Sequence, residues 1–136
     1  RLGYCLSDDR ALLAAMAEEG PPWPVSQLAQ QAGVSALQDA PDWPFRVHQQ
    51  LEEERRYLSQ ELSRLRFHVY PSDSNFLLFQ GEEGWRERLL DRGILIRSCA
   101  DFQGLGPGFY RVCVRSRGEN KRLIQAIQQE REAFHG

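Results

Sequence analysis

The longest predicted helix constrains the fold more than any other segment of the sequence. Its apolar residues recur at helical spacing over about residues 44–65: Val47, Leu51, Leu58, Leu62 and Leu65. A helix of this length is too long for a compact domain this small unless it bridges two bodies. We therefore expect a first body over residues 1–42, a connecting helix over 43–65 and a second body over 66–136.

The sequence after this helix predicts an α/β unit of order β-β-α-β-β-α. Apolar and β-branched runs predict strands over residues 67–70, 75–80, 93–97 and 109–115, and a short helix over about 83–92. The last helix begins at Ser116-x-x-Glu119, a capping box. Together with the first part of the chain, this order predicts an α/β fold.

The first forty residues predict two helices and one isolated strand. Residues 2–6 resemble a short buried strand, and Ser7 is a candidate N-cap for a helix ending near Glu19. A second helix follows from about Val25, with Gly33 suited to its C-terminal cap. The backbone groups of an isolated strand need a sheet to join, and we expect that sheet to lie in a longer protein.

Two arginines share one face of the strand Phe109–Arg115. Because strand side chains alternate, Tyr110 and Val112 share one face, and Arg111 and Arg115 lie on the other. An arginine in this setting is either solvated at a sheet edge or directed at an anion. The pattern alone favours the solvated position, since charged side chains are rarely buried without a partner.

Charge and composition exclude several functions. The net charge of −2 gives no attraction to nucleic acid or anionic membranes, and no apolar run is long enough to span a bilayer. The three cysteines and three histidines have no metal-like spacing, so we expect no metal site and reduced thiols in a cytoplasmic protein. The charge run Glu52–Arg56 predicts a solvated helix face with a Glu52–Arg56 pair.

Several short motifs together resemble one enzyme superfamily. In order they are Arg1-Leu2-Gly3-Tyr4, Pro22-Trp23-x-Val25, Ser74-Asn75-Phe76-Leu77-Leu78-Phe79, Arg92-Gly93-Ile94-Leu95-Ile96-Arg97 and Phe109-Tyr110-Arg111-Val112. The series resembles the C-terminal part of fold type I, pyridoxal-phosphate-dependent aminotransferases, nearest the histidinol-phosphate aminotransferase-like group. The pattern Ile96-Arg97-Ser98-Cys99-x-x-Phe102-x-Gly104-Leu105 is most similar to the threonine-phosphate decarboxylases of cobalamin biosynthesis. A histidinol-phosphate aminotransferase or another class I/II aminotransferase is the alternative.

The resemblance implies an organisation and roles for particular residues. Residues 1–42 would end the large cofactor-binding domain, and residues 66–136 would form most of the small C-terminal domain. Arg1 would bind the cofactor phosphate, Arg111 the substrate carboxylate and Arg97 the substrate phosphate. Four further residues are possible site residues with a structural role as the alternative: Tyr4, Trp23, Asn75 and Arg115.

The resemblance also implies what the chain lacks. Pyridoxal phosphate needs a Schiff-base lysine, expected upstream of Arg1, and the single lysine, Lys121, lies in the first turn of the last helix. We expect the intact protein to be a homodimeric enzyme acting on a phosphorylated amino acid, and this chain alone to be inactive. A non-catalytic α/β ligand-binding or interaction module, or a decayed gene remnant, is the alternative of another class.

Overall fold

The computed structural model describes residues 2–38 and 42–135, which form five helices and four strands. In chain order these are α1 (Arg10–Glu19), α2 (Gln27–Gln38), α3 (Trp43–Arg64), β1 (His68–Val69), β2 (Phe76–Gln80), α4 (Trp85–Asp91), β3 (Arg97–Ser98), β4 (Phe109–Cys113) and α5 (Arg117–His135). The α/β class and the order β-β-α-β-β-α after the long helix are confirmed. The chain divides into two compact units, residues 1–46 and 47–136, and the boundary falls within α3.

The N-terminal segment of the first unit differs from its prediction. The described residues 2–6 form no strand, because no neighbouring strand in the described chain pairs with their backbone groups. Helix α1 is capped by Asp9, whose Oδ1 accepts hydrogen bonds from the Ala11 and Leu12 amides at 3.0 Å. Ser7 lies outside the helix and accepts a hydrogen bond from the Asp9 amide instead.

Helix α2 continues past the glycine predicted to end it. Gly33 lies inside the helix, where a β carbon would lie 2.3 Å from Cδ2 of Leu2. The absence of a side chain therefore serves packing against Leu2 rather than capping. Neither α1 nor α2 has a buried residue.

The second unit is built on an antiparallel sheet of order β1-β2-β4-β3. Strand β3 is shorter than predicted, since only Arg97 and Ser98 join the ladder. Residues before them are still leaving α4: Gly93 has a φ of 73°, and the Ile94 amide bonds back to the Leu89 carbonyl at 2.9 Å.

The core lies on one face of this sheet, against α3, α4 and α5. Leu77 and Phe79 of β2 and Tyr110 and Val112 of β4 are buried, while the residues between them are more exposed. The fully buried residues of the helices include Leu58, Leu62, Leu89 and Ile127, each 0% exposed. One sheet face is thus fixed by packing, and the other is open. Within the described chain, no helix has the length and apolar character needed to cross a membrane.

Candidate anion-binding cleft

The open face of β4 presents Arg111. Tyr110 and Val112 are buried on the core face, so strand alternation places Arg111 with Cys113 on the other face. The Arg111 guanidinium lies 4.5 Å from the centre of the Phe76 ring, on the neighbouring strand β2. Stacking on an aromatic ring restrains a guanidinium without using its hydrogen-bond donors.

Two arginines stand directly opposite each other across two strands. Arg97 of β3 is the ladder partner of Arg111 of β4. Like charges at directly opposed positions destabilise a sheet, so this pair favours a bound anion between or beside them. Arg97 is bound by Asp101 at 2.6 Å and lies 5.6 Å from the Phe102 ring centre. Arg111 forms no ion pair with any residue that the structure describes.

These arginines line a cleft of about 560 Å³ in the second unit. Its charged lining residues are Arg86, Arg97, Arg111, Arg115, Arg122 and Glu119. Apolar side chains including Phe76, Ile94 and Ile96 complete the wall. A concave site with several cations on an apolar wall suits a small ligand with more than one anionic group.

Arg115 is both cleft lining and an ion-pair partner. Its Nε lies 2.7 Å from Oε1 of Glu119, and its side chain is 63% exposed. Glu119 also accepts hydrogen bonds from the Ser116 hydroxyl at 2.7 Å and the Ser116 amide at 3.3 Å, and the bond from the amide is one of the two bonds of the predicted capping box. The hydrogen bond from Ser116 lowers the pKa of the Glu119 carboxyl, with a smaller contribution from the Arg115 charge.

A buried network behind the cleft was missed by the sequence analysis. The Asn120 side chain, 2% exposed, accepts from the Arg115 amide at 3.1 Å and donates to the Arg115 carbonyl at 2.8 Å and to Glu54 at 2.9 Å. Glu54 is buried and also accepts from Arg117 Nε at 2.8 Å. The prediction of a solvated helix face is therefore wrong at Glu54, which is buried. The predicted pair between Glu52 and Arg56 does form, at 3.0 Å.

This network was detectable in principle from the periodicity of the helices. Glu54 occupies the apolar stripe of α3, four residues before Leu58, and Asn120 precedes Leu123 by three on α5. A polar residue on an apolar stripe requires a buried partner, because an unpaired one is costly to bury.

A second anchor joins β4 to the start of α4. The Tyr110 hydroxyl donates to the Glu82 carbonyl at 3.1 Å and accepts from the Trp85 amide at 3.3 Å. Burial raises the pKa of this hydroxyl. The hydroxyl therefore stays protonated and holds the strand that carries Arg111.

The remaining predicted site residues are not among the cleft lining residues or lie outside the described chain. Asn75 is exposed, and its carbonyl accepts from the Val114 amide at 2.8 Å, which continues the strand pairing. Tyr4 and Trp23 belong to the first unit and are 89% and 91% exposed. Arg1 lies outside the described residues.

The fold and the sequence define the class of protein. The sequence profile described as Aminotransferase class I and II matches residues 1–127, and the chain belongs to this family. The resemblance inferred from the motifs is therefore confirmed.

Particular relatives narrow the comparison. The chain is 41% identical over 132 residues to the threonine-phosphate decarboxylase of Salmonella typhimurium, covering 94% of this chain and 36% of that protein. It is 34% identical over 112 residues to the histidinol-phosphate aminotransferase of Methanoculleus marisnigri, covering 79% and 30% of the two chains. The chain thus spans about a third of the length of these relatives.

Solved structures have the same fold. The histidinol-phosphate aminotransferase of Clostridium acetobutylicum superposes with a TM-score of 0.80 at 22% identity, over 93% of this chain and 40% of that one. The L-threonine-O-3-phosphate decarboxylase of Porphyromonas gingivalis superposes with a TM-score of 0.72 at 25% identity, over 91% of this chain and 40% of that one.

Proposed function

We propose that the protein to which this chain belongs decarboxylates L-threonine O-3-phosphate with pyridoxal phosphate as cofactor. The opposed pair Arg97 and Arg111 at the cleft is the observation that supports this most strongly. The substrate has a carboxylate and a phosphate, and two anionic groups require two separated cations. The relative with 41% identity has this activity in its name.

Each arginine has the surroundings that its proposed role requires. Arg111 is half-buried and stacked on Phe76, so it can hold a carboxylate in one orientation through two parallel hydrogen bonds. Arg97 is more exposed and stands opposite Arg111 in the ladder, which suits a phosphate that arrives from solvent and displaces Asp101 from the guanidinium. Arg115 lies beyond the end of β4 and is paired with Glu119, so we assign it to the rim of the site rather than to direct substrate binding.

The residues of this chain do not form a complete pyridoxal-phosphate site. The single lysine, Lys121, is exposed on α5, and the proposed phosphate ligand Arg1 lies outside the described residues. When bound, the cofactor supplies an electron sink for the bond broken at the substrate α-carbon. The contribution that we assign to this chain is to bind and orient the carboxylate and phosphate.

Transamination of histidinol phosphate is the alternative reaction. It is supported by the 34% identity to the Methanoculleus marisnigri enzyme. Histidinol phosphate has a phosphate but no carboxylate, so it would engage Arg97, whereas the amino acid partner of the reaction would engage Arg111.

We further propose that the intact enzyme is a homodimer and that it is located in the cytoplasm. The free thiols of Cys5, Cys99 and Cys113 agree with the proposed location.

Product analysis separates the two reactions. The complete open reading frame that encodes this chain is expressed, supplied with pyridoxal phosphate and incubated with L-threonine O-3-phosphate or with histidinol phosphate and an oxo acid. We expect carbon dioxide from the first substrate. Transamination of histidinol phosphate without carbon dioxide release would establish the alternative. A folded protein with neither activity would leave another class I/II aminotransferase, the non-catalytic module or the gene remnant.

A further inference from the structure

The cleft contains more arginines than Arg97 and Arg111, the two to which substrate binding is assigned. Three of its five arginines have a carboxylate partner: Arg86 with Glu87 at 3.1 Å, Arg97 with Asp101 at 2.6 Å and Arg115 with Glu119 at 2.7 Å. Across residues 2–38 and 42–135, neither Arg111 nor Arg122 forms an ion pair. Arg111 has a proposed ligand, and Arg122 has none.

Arg122 lies at the opposite end of one cleft wall from Arg97. Its Nη2 lies 3.9 Å from the position of a β carbon on Gly93, the first residue of the segment that ends at Arg97. Exposure alternates from Ile94 to Arg97, as in an extended chain, so the two ends of the segment are about 13 Å apart. The Arg122 guanidinium is therefore at a different place in the cleft from the Arg97–Arg111 pair.

The elements that hold Arg122 are fixed against each other. Arg92, next to Gly93, donates a hydrogen bond to Gln129 of α5 at 2.9 Å and forms an ion pair with Glu130. Leu123 and Ile124, which follow Arg122 on α5, are buried in the core. The end of α4 and the start of α5 thus fix the backbone from which the exposed Arg122 side chain extends.

We propose that Arg122 forms a second anion position in the cleft, separate from the Arg97–Arg111 pair, which binds a phosphate dianion. The ligand is inorganic phosphate or the phosphate group of an ester, since both present the same oxygens to a guanidinium. If Arg122 also captures a phosphorylated substrate before the Arg97–Arg111 pair binds it, that role rests on the proposed function. The binding of phosphate itself does not.

Arginine side-chain NMR on the 136-residue chain tests this position. The Nε–Hε resonances are followed during titration with inorganic phosphate, and separately with L-threonine O-3-phosphate, at constant ionic strength. We expect the Arg122 resonance to shift saturably with either probe. In Arg122→Gln the dissociation constant for phosphate, followed through the backbone amide of the neighbouring Gly93, should rise about tenfold, the usual loss of one charge-assisted hydrogen bond.

Matched variants complete the test. Arg64→Gln removes an exposed α3 arginine that is not part of the cleft, and it should leave the phosphate-dependent shift of the Arg122 resonance unchanged. Arg111→Gln removes a member of the other anion site and shows whether phosphate binding belongs there instead. Arg122→Lys keeps the charge but not the planar guanidinium, so it should bind phosphate more weakly than the wild type and more tightly than Arg122→Gln. A shift seen only with the ester identifies the substrate as the ligand of the position.

The proposal is overturned if the Arg122 resonance does not move with either probe. It is also overturned if Arg122→Gln binds as tightly as Arg64→Gln, or if binding is lost only in Arg111→Gln. The wild-type resonance decides the outcome even if a variant fails to fold. The titration measures binding and not turnover. A failure of the decarboxylase proposal would therefore not change the result for phosphate binding at Arg122.

Discussion

Replacing Asn120 by alanine should destabilise the second unit strongly for a single polar substitution. The side chain makes three hydrogen bonds at 2.8–3.1 Å while only 2% exposed: two to the backbone of Arg115 and one to Glu54. Alanine leaves the Arg115 amide and carbonyl without these partners and removes one donor from a buried carboxylate. Each lost bond costs about 0.5–1.5 kcal/mol, and more where a charged group is left short of donors. We expect a total loss of about 2–4 kcal/mol in the free energy of unfolding.

Urea denaturation followed by circular dichroism measures this loss. Gln125→Ala is the matched control, since Gln125 is an exposed residue of the same helix, and it should change stability by less than about 0.5 kcal/mol. Asn120→Asp keeps an acceptor for the Arg115 amide but places a second carboxylate beside Glu54. It should therefore be at least as damaging as alanine near neutral pH. If Asn120→Ala and Gln125→Ala unfold at the same urea concentration, the network does not hold the junction between β4 and α5.

Three further predictions test other parts of the fold. Gly108→Ala should cost about 3 kcal/mol or more, because Gly108 has a φ of 88° and a β carbon would lie 2.6 Å from the Gly81 carbonyl oxygen. Gly104→Ala, with a φ of 83° and open space around it, should cost only about 1 kcal/mol, and equal losses in thermal melts would contradict the steric account. Leu58→Ala, at a site 0% exposed, should cost about 2–5 kcal/mol in the same melts, and a loss below about 1 kcal/mol would place Leu58 outside the core. The pKa of Glu119 is lowered in the folded state, so its ionised form contributes stability above the usual carboxyl pKa that is lost as pH falls through the lowered value. The stability difference between wild type and Glu119→Gln should therefore vanish in acid, and a difference that persists there would exclude the linkage.

Most parts of the fold governed by local pattern were predicted correctly, whereas the caps predicted at Ser7 and Gly33 were wrong. Helical spacing located α3, strand alternation placed Arg111 away from Tyr110 and Val112, and Ser116-x-x-Glu119 located the start of α5. These features depend on residues within a few positions of each other, so one sequence suffices to find them.

Features that depend on distant partners were predicted poorly. The Glu54–Asn120 bond joins residues 66 positions apart: helical periodicity marks each of them as a residue that needs a buried partner, but no local pattern pairs the two. Residues 2–6 have strand-like composition, but a strand forms only where another strand pairs with it. The opposition of Arg97 and Arg111 likewise depends on the register of β3 against β4, which the sequence alone did not define. The roles of Arg97, Arg111 and Arg115, and the division at residues 42 and 65, stay predictions.

The separate roles of the two opposed arginines are the central claim. The enzyme encoded by the complete reading frame is assayed for kcat/KM with L-threonine O-3-phosphate and with L-threonine. Arg111→Gln should lower kcat/KM for both substrates by about a hundredfold, because both have a carboxylate. Arg97→Gln should lower it for the phosphorylated substrate alone, and Arg64→Gln should lower neither. Equal losses for the two substrates in Arg97→Gln, or activity in Arg111→Gln as high as in Arg64→Gln, would contradict the assignment.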